Sequence, residues 1–552
     1  MAARFPEATA LKIPRGRNRS GDLDYLSLTF AGLAAEAAAW EARLTARGVG
    51  AGDRTLVMVR PGLPLIAATF ALFRLGAVPV IIDPGMGRKN FLECVARSRP
   101  RVMVGIPYAQ LISHVFRRPF RTVAVRVTAS GSPTAGLARE GGLIPPAAPP
   151  APVAASDLAA VLFTSGSTGR PKGVCYEHGM FDAQVALIRE TYGITPGEID
   201  LPLLPIFALF NPALGLTTIV PELDPRRPAE IDPAKIVQAI RQENVTTSFG
   251  SPTLWRKIGD HCLAHGIALP TLRRVLCAGA PVPAALWRSA QRFLPNGELH
   301  SPYGATEALP LASISARGIE AAHPLTSPPA GGGTTRDNLC PPASGACVGF
   351  PLAGIGLRII VPVDGPIPTL AETHELPRGE IGEIIASGPV VTKVYDALPE
   401  ATARAKIRDE GGRVWHRLGD AGYFDAAGRL WFCGRLVEQV ETAQGTLHTE
   451  PCEQVFRTHP RAARCALIGL PGPGPARPAL VVETATTDSR ECRALARELR
   501  ELALAQPHTA AIQVFYFHPK FPVDVRHNAK IHRLTLARWA LTATGFASDP
   551  KR

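Results

Sequence analysis

The chain has 552 residues, of which 46% are hydrophobic, and its formal net charge is +13. A chain of this length can bury large cores and is predicted to contain more than one structural unit. Its basic residues are scattered, and no basic run is interleaved with aromatic residues, which argues against nucleic-acid binding as the main function.

Neither the cysteines nor the apolar segments indicate an exported or membrane-spanning protein. The ten cysteines contain no C-x-x-C pair, which argues against a zinc site or a disulfide framework and favours the reducing cytoplasm. Residues 1–17 lack the apolar core and the cleavage site of a secretion signal. The most apolar region, residues 62–83, is broken by Pro64, Arg74 and Pro79, so we expect a buried helix and strand there and no transmembrane segment.

In the first part of the chain, predicted strands alternate with predicted helices. Apolar residues recur with helical spacing over residues 27–47 and predict an amphipathic helix. The elements predicted next are a Gly-rich turn at 48–53, a strand at 55–59, a helix at 63–75 and a strand at 78–82. Residues 128–156, rich in Pro, Ala and Gly, predict a surface connection. The alternation indicates a parallel α/β sheet.

The same alternation resumes after this connection. The predicted elements are helices at 182–191 and 233–243 and strands at 199–204, 246–249 and 274–277. Residues 321–344 predict a long irregular loop, which either covers a site or is a surface insertion. Strands at 356–361 and 382–387 predict a small β region. Beyond Gly434 the pattern becomes α+β, with elements at 461–469, 479–483, 491–505 and 513–517, so we predict two domains, 1–434 and 435–552.

Residues 162–173, LFTSGSTGRPKG, predict a loop that binds phosphate. A short apolar strand leads into hydroxyl-bearing residues and glycines, whose backbone N–H groups can converge on an anion. The spacing differs from a P-loop, because Arg170 and Pro171 separate Gly169 from Lys172. A flexible Ser/Gly linker is the alternative, and the apolar strand that feeds the loop argues against it.

Two further stretches carry groups suited to a nucleotide. In CAGAP, residues 277–281, Gly279 and Ala280 follow a buried strand and expose backbone that can lie against a flat ring, although this is also an ordinary strand-to-turn signal. In SPYGATE, residues 301–307, Tyr303 offers a stacking face and Thr306 a hydroxyl for a phosphate. Glu307 offers the carboxylate oxygens that Mg²⁺ prefers.

The last two stretches place an aspartate and a lysine toward the C-terminus. Asp420, in HRLGDAGYFDAAGRLWF, could accept two hydrogen bonds from a ribose diol, and a turn aspartate is the alternative. Lys530, in FPVDVRHNAKIHR, lies in a polar loop, where most lysines are merely solvated. His178 stands at a loop-to-helix junction, and we expect a structural role for it.

Together, and in this order, these motifs resemble the ANL superfamily of adenylate-forming enzymes, which includes acyl-CoA synthetases, peptide-synthetase adenylation domains and luciferases. The resemblance covers nearly the whole chain and rests on GVGAGDRTLVMV, TSGSTGRPKG, YGATE, GEIIASG, LGDAGYFDAAGRLWFCGR and NAKIHR. It implies an α/β fold with a large N-terminal domain of doubly wound sheets plus a small β-barrel region. A smaller, mobile α+β C-terminal domain would follow.

The resemblance also implies ATP and Mg²⁺ as cofactors and assigns roles to the residues above. The β- and γ-phosphates of ATP would be handled by the loop residues Thr164, Ser165, Gly166, Ser167, Thr168, Gly169 and Lys172. Gly279, Ala280 and Tyr303 would bound the adenine, Asp420 would hold the ribose hydroxyls, and Arg435 would lie near the ribose at the hinge.

Three residues are the catalytic candidates that the resemblance implies. Thr306 would touch the α-phosphate, and Glu307 would bind Mg²⁺. Lys530 would bridge the substrate carboxylate and the α-phosphate, where its charge offsets the repulsion between two anions.

The chain departs from acyl-CoA synthetases in three places. Ala208 stands where a histidine is usual and predicts a wider acyl channel; Val437 replaces an acidic hinge residue, and Glu438 follows it. The segment EQVETAQGTLHTEPCE fits the usual glycine-containing hairpin poorly, with Glu441 in place of a common lysine. Because that hairpin helps to build the thioester-forming site in CoA ligases, these changes argue against thioester formation.

Within the superfamily the chain most resembles the olefin-biosynthesis β-lactone synthetases. This implies that a long-chain 2-alkyl-3-hydroxy fatty acid is activated as its acyl-AMP and that the 3-hydroxyl attacks to form a β-lactone, with release of AMP and pyrophosphate. A long-chain fatty acyl-CoA or acyl-AMP ligase is the alternative, and a non-catalytic nucleotide- or lipid-binding scaffold is the second. An apolar substrate and a basic surface also leave open a multienzyme assembly with other lipid-pathway enzymes.

Overall fold

A computed structural model of the protein describes residues 1–129, 151–164, 170–224, 227, 230–322, 344–472, 474–486, 488–523 and 530–547. The predicted connection at 128–156 and the predicted loop at 321–344 fall largely outside these residues. Within these ranges, no helix has the length and apolar character that a membrane span requires.

The first sheet has six strands and is mainly parallel. In spatial order they are Val125–Thr128, Val102–Gly105, Arg54–Met58, Val78–Ile82, Leu158–Thr164 and Lys172–Glu177. The last pair alone is antiparallel, so the loop predicted to bind phosphate joins two neighbouring strands. The helices that precede or connect these strands are Phe30–Thr45, Leu63–Arg74, Arg88–Ser98 and Pro107–Val115.

The first helix begins later than its apolar spacing predicts. Thr29 caps it, since its side-chain oxygen accepts a hydrogen bond from the backbone N–H of Gly32 at 3.1 Å. Leu28 belongs to the preceding strand and pairs there with Leu11. The helical spacing of apolar residues therefore included the last residues of the strand Leu23–Thr29, and the predicted helix began too early.

The second sheet is parallel at its centre and antiparallel toward both edges, and it is continuous with the predicted small β region. Its strands, in spatial order, are Gly356–Ile360, Gly382–Ser387, Val414–Phe424, Leu430–Arg435, Ala346–Pro351, Ala308–Ser315, Glu298–Ala305, Arg274–Cys277, Thr247–Gly250, Ile199–Asp200, Thr217–Ile219, Thr9–Arg17 and Leu23–Thr29, with Lys406–Arg408 paired to Val414–Phe424. Its helices are His178–Tyr192, Asn211–Leu214, Pro233–Gln242, Pro252–Ala264, Ala284–Phe293, Ala316–Ala322 and Pro399–Ala405.

The strand predicted at 199–204 is shorter in the structure and comprises Ile199–Asp200. Leu201 and Leu203 still donate backbone hydrogen bonds to the neighbouring strand, at 3.1 and 2.8 Å. Pro202 has no N–H to donate, and a 3₁₀ helix, Pro205–Leu209, begins directly afterwards. The two prolines therefore end the ladder early.

The residues after Arg435 have a core of their own. They form a hairpin, Val440–Thr442 with Gly445–Leu447, and a four-stranded sheet of Cys465–Leu470, Arg477–Glu483, Val514–His518 and Phe546–Ala547. The helices are Thr449–Phe456, Ser489–Leu504 and Arg533–Ala540. This matches the predicted α+β pattern, whereas a domain boundary between residues 434 and 435 stays a prediction.

Gly434 shows how closely the two parts of the chain approach each other. Its φ of +128° lies in the region that favours glycine. A Cβ at this position would come within 2.1 Å of the Thr449 hydroxyl oxygen. The backbone of the last strand before the predicted boundary therefore contacts the start of the helix Thr449–Phe456.

Candidate active site

One large cleft is lined by most of the predicted site residues that the structure describes. They are Lys172, Gly279, Ala280, Tyr303, Thr306, Glu307, Asp420, Arg435 and Lys530. Residues 165–169 of the predicted phosphate loop, namely Ser165, Gly166, Ser167, Thr168 and Gly169, lie outside the described residues. Thr164 ends the strand Leu158–Thr164 that leads into them. The roles of all these residues remain predictions.

Two parallel strands carry the residues predicted to bound the adenine. The strand Arg274–Cys277 pairs with Glu298–Ala305, and Leu276 lies opposite His300. Gly279, just beyond the first strand, has a φ of +97°, which lets the backbone turn where a side chain would be strained. Because the carboxyl ends of the two strands lie side by side, Gly279 and Tyr303 border the same cleft.

Asp420 is held by two contacts in a buried setting. It is 5% exposed, and the Tyr303 hydroxyl donates a hydrogen bond to its Oδ2 at 2.7 Å. Arg435 lies directly opposite in the antiparallel ladder, with its Nη1 3.0 Å from Asp420 Oδ1. Burial raises the pKa of Asp420, whereas Arg435, Tyr303 and Lys530 lower it.

One oxygen of this carboxylate lacks a hydrogen-bond donor. Arg435 Nη1 donates to the Leu418 carbonyl oxygen at 2.9 Å, and its contact with Asp420 Oδ1 is an ion pair without hydrogen-bond geometry. Among the described residues, no other group donates to that buried oxygen. A buried acceptor is rarely left unpaired, so Oδ1 fits a hydroxyl of a bound ribose.

Glu307 lines the cleft beside Tyr395, whose ring is close to two lysines. The Tyr395 hydroxyl donates a hydrogen bond to Glu307 Oε1 at 2.8 Å. The Lys172 ammonium lies 4.8 Å from the centre of the Tyr395 ring, within cation–π range, and Lys406 lies 5.8 Å from it. Thr392 donates to the Glu307 carbonyl through its backbone N–H and its hydroxyl, at 2.9 and 3.0 Å.

This arrangement fits Mg²⁺ only in company with phosphate. The described residues contain no group of three or more His, Cys, Asp or Glu side chains placed to hold a metal ion. Mg²⁺ is commonly bound through one or two carboxylates together with substrate phosphates. Glu307 would supply the carboxylate, and Lys172 would add positive charge near the phosphate oxygens.

Lys406 and His416 were missed by sequence reasoning. Lys406 is 8% exposed and donates to the carbonyl and hydroxyl oxygens of Thr392 at 2.5 and 3.2 Å. Burial lowers its pKa to about 7. His416 is also buried, and its burial together with the Lys406 charge keeps its pKa well below the ordinary histidine value. Their sequence context, RAKIRD and VWHRL, gives no signal for either.

Lys530 is exposed at the cleft, and Arg533, three residues later, belongs to a buried ionic network. Arg533 binds Glu453 with two nitrogens, at 2.7 and 2.8 Å, and Glu438 with a third contact of 2.9 Å. Although burial alone would raise it, Arg533 and Arg457 hold the pKa of Glu453 below its ordinary value. The network therefore fixes the backbone just beyond Lys530 to the segment that follows Arg435.

The departures from acyl-CoA synthetases have the following structural counterparts. The hairpin forms despite its unusual sequence, with Val440 opposite Leu447 and Thr442 opposite Gly445. Val437 is exposed, whereas Glu438 is half-buried and its side chain pairs with Arg533. Ala208 is packed into a core with the first two helices, and its neighbours Phe207 and Phe210 line an apolar pocket. The wider acyl channel stays a prediction.

Comparisons with known proteins agree with this fold and with the resemblance. The family model described as AMP-binding enzyme matches residues 1–396. The chain is 42% identical to an olefin β-lactone synthetase of Xanthomonas campestris pv. campestris, over 98% of this chain and 96% of the relative. It is 43% identical to an olefin β-lactone synthetase of Stenotrophomonas maltophilia, with the same coverage.

The fold has close counterparts among solved structures. The o-succinylbenzoate CoA synthetase of Bacillus subtilis, solved in complex with the acyl-adenylate intermediate OSB-AMP, superposes with a TM-score of 0.75. The match covers 99% of this chain and 98% of that one at 19% identity, which speaks for the fold alone. On the family model and the two relatives, the chain belongs to the AMP-binding enzyme family and is an adenylate-forming ligase of the ANL superfamily.

Proposed function

We propose that the protein activates a long-chain 2-alkyl-3-hydroxy fatty acid with ATP and converts the acyl-AMP into a β-lactone, releasing AMP and pyrophosphate. The observation that carries this proposal is the 42–43% identity, over nearly the full length, to two olefin β-lactone synthetases. Membership of an enzyme family leaves the non-catalytic scaffold without support.

In this proposal the residues around the cleft divide the work of adenylation. Asp420 receives the ribose hydroxyls through Oδ1, which accepts no hydrogen bond from the described residues, and Arg435 offsets the charge of that carboxylate. Glu307 holds Mg²⁺ beside the phosphates, and Thr306 contacts the α-phosphate. Lys530 offsets the repulsion that arises when a carboxylate attacks a negatively charged phosphate, a role in which a positioned cation acts mainly on the transition state.

Lactone formation needs no second substrate. The mixed anhydride is a reactive acyl donor, and the 3-hydroxyl of the same molecule already lies near its carbonyl, so the ring closes without the entropy loss of a bimolecular step. The apolar pocket beside Phe207 and Phe210 has a volume of about 60 Å³, which is room for only a small part of the hydrocarbon of such a substrate.

A long-chain acyl-CoA ligase remains the second candidate, and one observation favours it. The hairpin Val440–Thr442 with Gly445–Leu447, expected to be impaired, is formed. The expectation that no thioester forms rested partly on the unusual sequence of this hairpin, and that part of the argument is weakened because the hairpin is present. The cytoplasm stays the expected compartment, and the multienzyme assembly gains no support from the described residues or from the comparisons.

A single incubation series separates the two candidates. The protein is given ATP, Mg²⁺ and a long-chain 2-alkyl-3-hydroxy acid, with and without CoA, and the acyl product is identified by mass spectrometry. A lactone formed without CoA supports the proposal, whereas a thioester formed only with CoA contradicts it.

In the Lys530→Ala variant we expect ATP binding to persist and AMP release to stop, and normal AMP release would contradict the role given to Lys530.

A further inference from the structure

An apolar pocket adjoins the cleft at the strand that carries Tyr303. Its wall is built largely from aliphatic and aromatic side chains, among them Ile188, Phe207, Phe210, Phe249 and Leu276. The rings of Phe207 and Phe249 are stacked with their centres 3.7 Å apart. Pro302, the residue before Tyr303, borders both cavities.

A group of polar side chains interrupts this apolar wall. Asp200 is 6% exposed, Gln184 1% and Thr247 3%. Thr247 lies directly opposite Asp200 in the parallel ladder, and Thr218 lies opposite it on the other side. The Asn211 side chain donates hydrogen bonds to Asp200 Oδ2 and to the Thr218 hydroxyl, at 2.8 and 2.9 Å. Asp200 is therefore held in a fixed position within the pocket lining.

Two of these polar groups have no partner within the described residues. Gln184 Oε1 and the Thr247 hydroxyl oxygen are buried and unpaired, and both residues line the pocket beside Asp200. Leaving buried polar atoms unpaired destabilises the folded state. A pocket that keeps such groups in a mainly apolar wall is suited to a ligand that brings a hydroxyl with its hydrocarbon.

Asp200 is also a carboxyl group without a cation. Among the described residues, no Lys, Arg or His forms an ion pair with it. The other titratable side chain in the lining is Tyr192, whose hydroxyl donates to Ser313 at 3.1 Å and whose pKa burial raises to about 12. Burial raises the pKa of Asp200 to about 7, which is the range in which a general base works best near neutral pH.

We propose that Asp200 binds the 3-hydroxyl of the acyl adenylate and accepts its proton during ring closure. This proposal rests on the β-lactone function proposed above. The hydroxyl proton passes to the Asp200 carboxylate as the hydroxyl oxygen bonds to the acyl carbonyl carbon. The bond between that carbon and the phosphate oxygen then breaks, AMP leaves with the electron pair, and Asp200 later returns the proton to solvent. Asn211 positions the carboxylate throughout.

The test separates adenylation from ring closure in the Asp200→Asn variant. ATP–pyrophosphate exchange with the 3-hydroxy acid measures adenylation, and lactone formation is followed in the same samples. We expect exchange to persist and the lactone rate to fall by roughly 10²- to 10⁴-fold, the usual contribution of a general base. The lactone rate of the wild type should also decline as the pH falls below about 7, and this decline should be absent from the variant.

Asp260→Asn serves as the matched control, because it makes the same change at an exposed aspartate that lines neither the cleft nor the pocket. It should retain both exchange and lactone formation. An Asp200→Asn variant that forms lactone at the wild-type rate overturns the role of Asp200, and so does an equal loss of exchange and lactone. A wild type that forms no lactone overturns the proposed function itself, and the role of Asp200 falls with it.

Discussion

The hydrogen bond from Tyr303 to Asp420 offers a direct test of how the cleft holds a ribose. Tyr303→Phe removes one hydroxyl and leaves the ring that borders the cleft. The hydroxyl donates to Asp420 Oδ2 at 2.7 Å, while Oδ1 is left for a ligand. Without this donor, the carboxylate loses a contact that fixes its orientation, and its pKa rises further above the ordinary value, because Tyr303 now lowers it.

The size of the effect follows from the charge of the acceptor. A hydrogen bond to a charged group contributes about 1.5–3 kcal/mol, twice or more the contribution of a neutral one. Since about 1.4 kcal/mol corresponds to a factor of ten, the KM for ATP should rise roughly 10- to 100-fold. The increase should be larger at acidic pH, because an aspartate with a raised pKa is protonated first as the pH falls.

The assay is ATP–pyrophosphate exchange as a function of ATP concentration at several pH values. Tyr423→Phe is the control, because Tyr423 is also a buried tyrosine on the strand of Asp420 and donates instead to the Ser344 carbonyl, at 3.2 Å. It should leave the KM for ATP unchanged. An unchanged KM in Tyr303→Phe, or an equal rise in both variants, would refute the reasoning.

Two further predictions concern stability. Because the pKa of Lys406 falls from 10.5 to about 7 on burial, the folded state binds fewer protons than the unfolded chain between these values, and stability should rise with pH across that window. In Lys406→Met melting experiments this rise, on the order of 5 kcal/mol, should disappear. An identical pH profile in the variant would contradict the prediction. Arg533→Met should lower the free energy of unfolding by about 3–5 kcal/mol, because it leaves the fully buried Glu453 short of a partner. Arg461→Met breaks the exposed pair with Glu498 and should lower it by less than about 1 kcal/mol. Similar melting shifts for the two variants would contradict the role given to the network.

Sequence patterns predicted the strands of the sheets well where apolar residues run without interruption. Val78–Ile82 and Arg274–Cys277 were predicted with their observed bounds, because short buried runs between turns have few alternatives. The strand at 199–204 was predicted too long, since alternating leucines masked the effect of Pro202.

The polar residues inside the cleft and the pocket were the hardest to predict. Asp200 lies in the segment GEIDLP and Lys406 in the segment ARAKIR, and each segment has the composition of a solvated surface. Their burial depends on strands that come from distant parts of the chain, such as Thr247–Gly250 beside Asp200. Motifs in the sequence predicted which residues contact a nucleotide. Ionisable residues outside any motif could be identified only from the way the folded chain packs around them.

The pairing of Asp420 with Arg435 joins the proposed ribose contact to the segment through which the chain passes into its C-terminal part. Arg435 is the last residue of the strand Leu430–Arg435, and the 3₁₀ helix Leu436–Glu438 follows it directly. A ribose hydroxyl on Asp420 Oδ1 would share that oxygen with the Arg435 guanidinium and weaken its hold. Bound nucleotide would thereby change the electrostatic contact of the residue that directly precedes the 3₁₀ helix Leu436–Glu438.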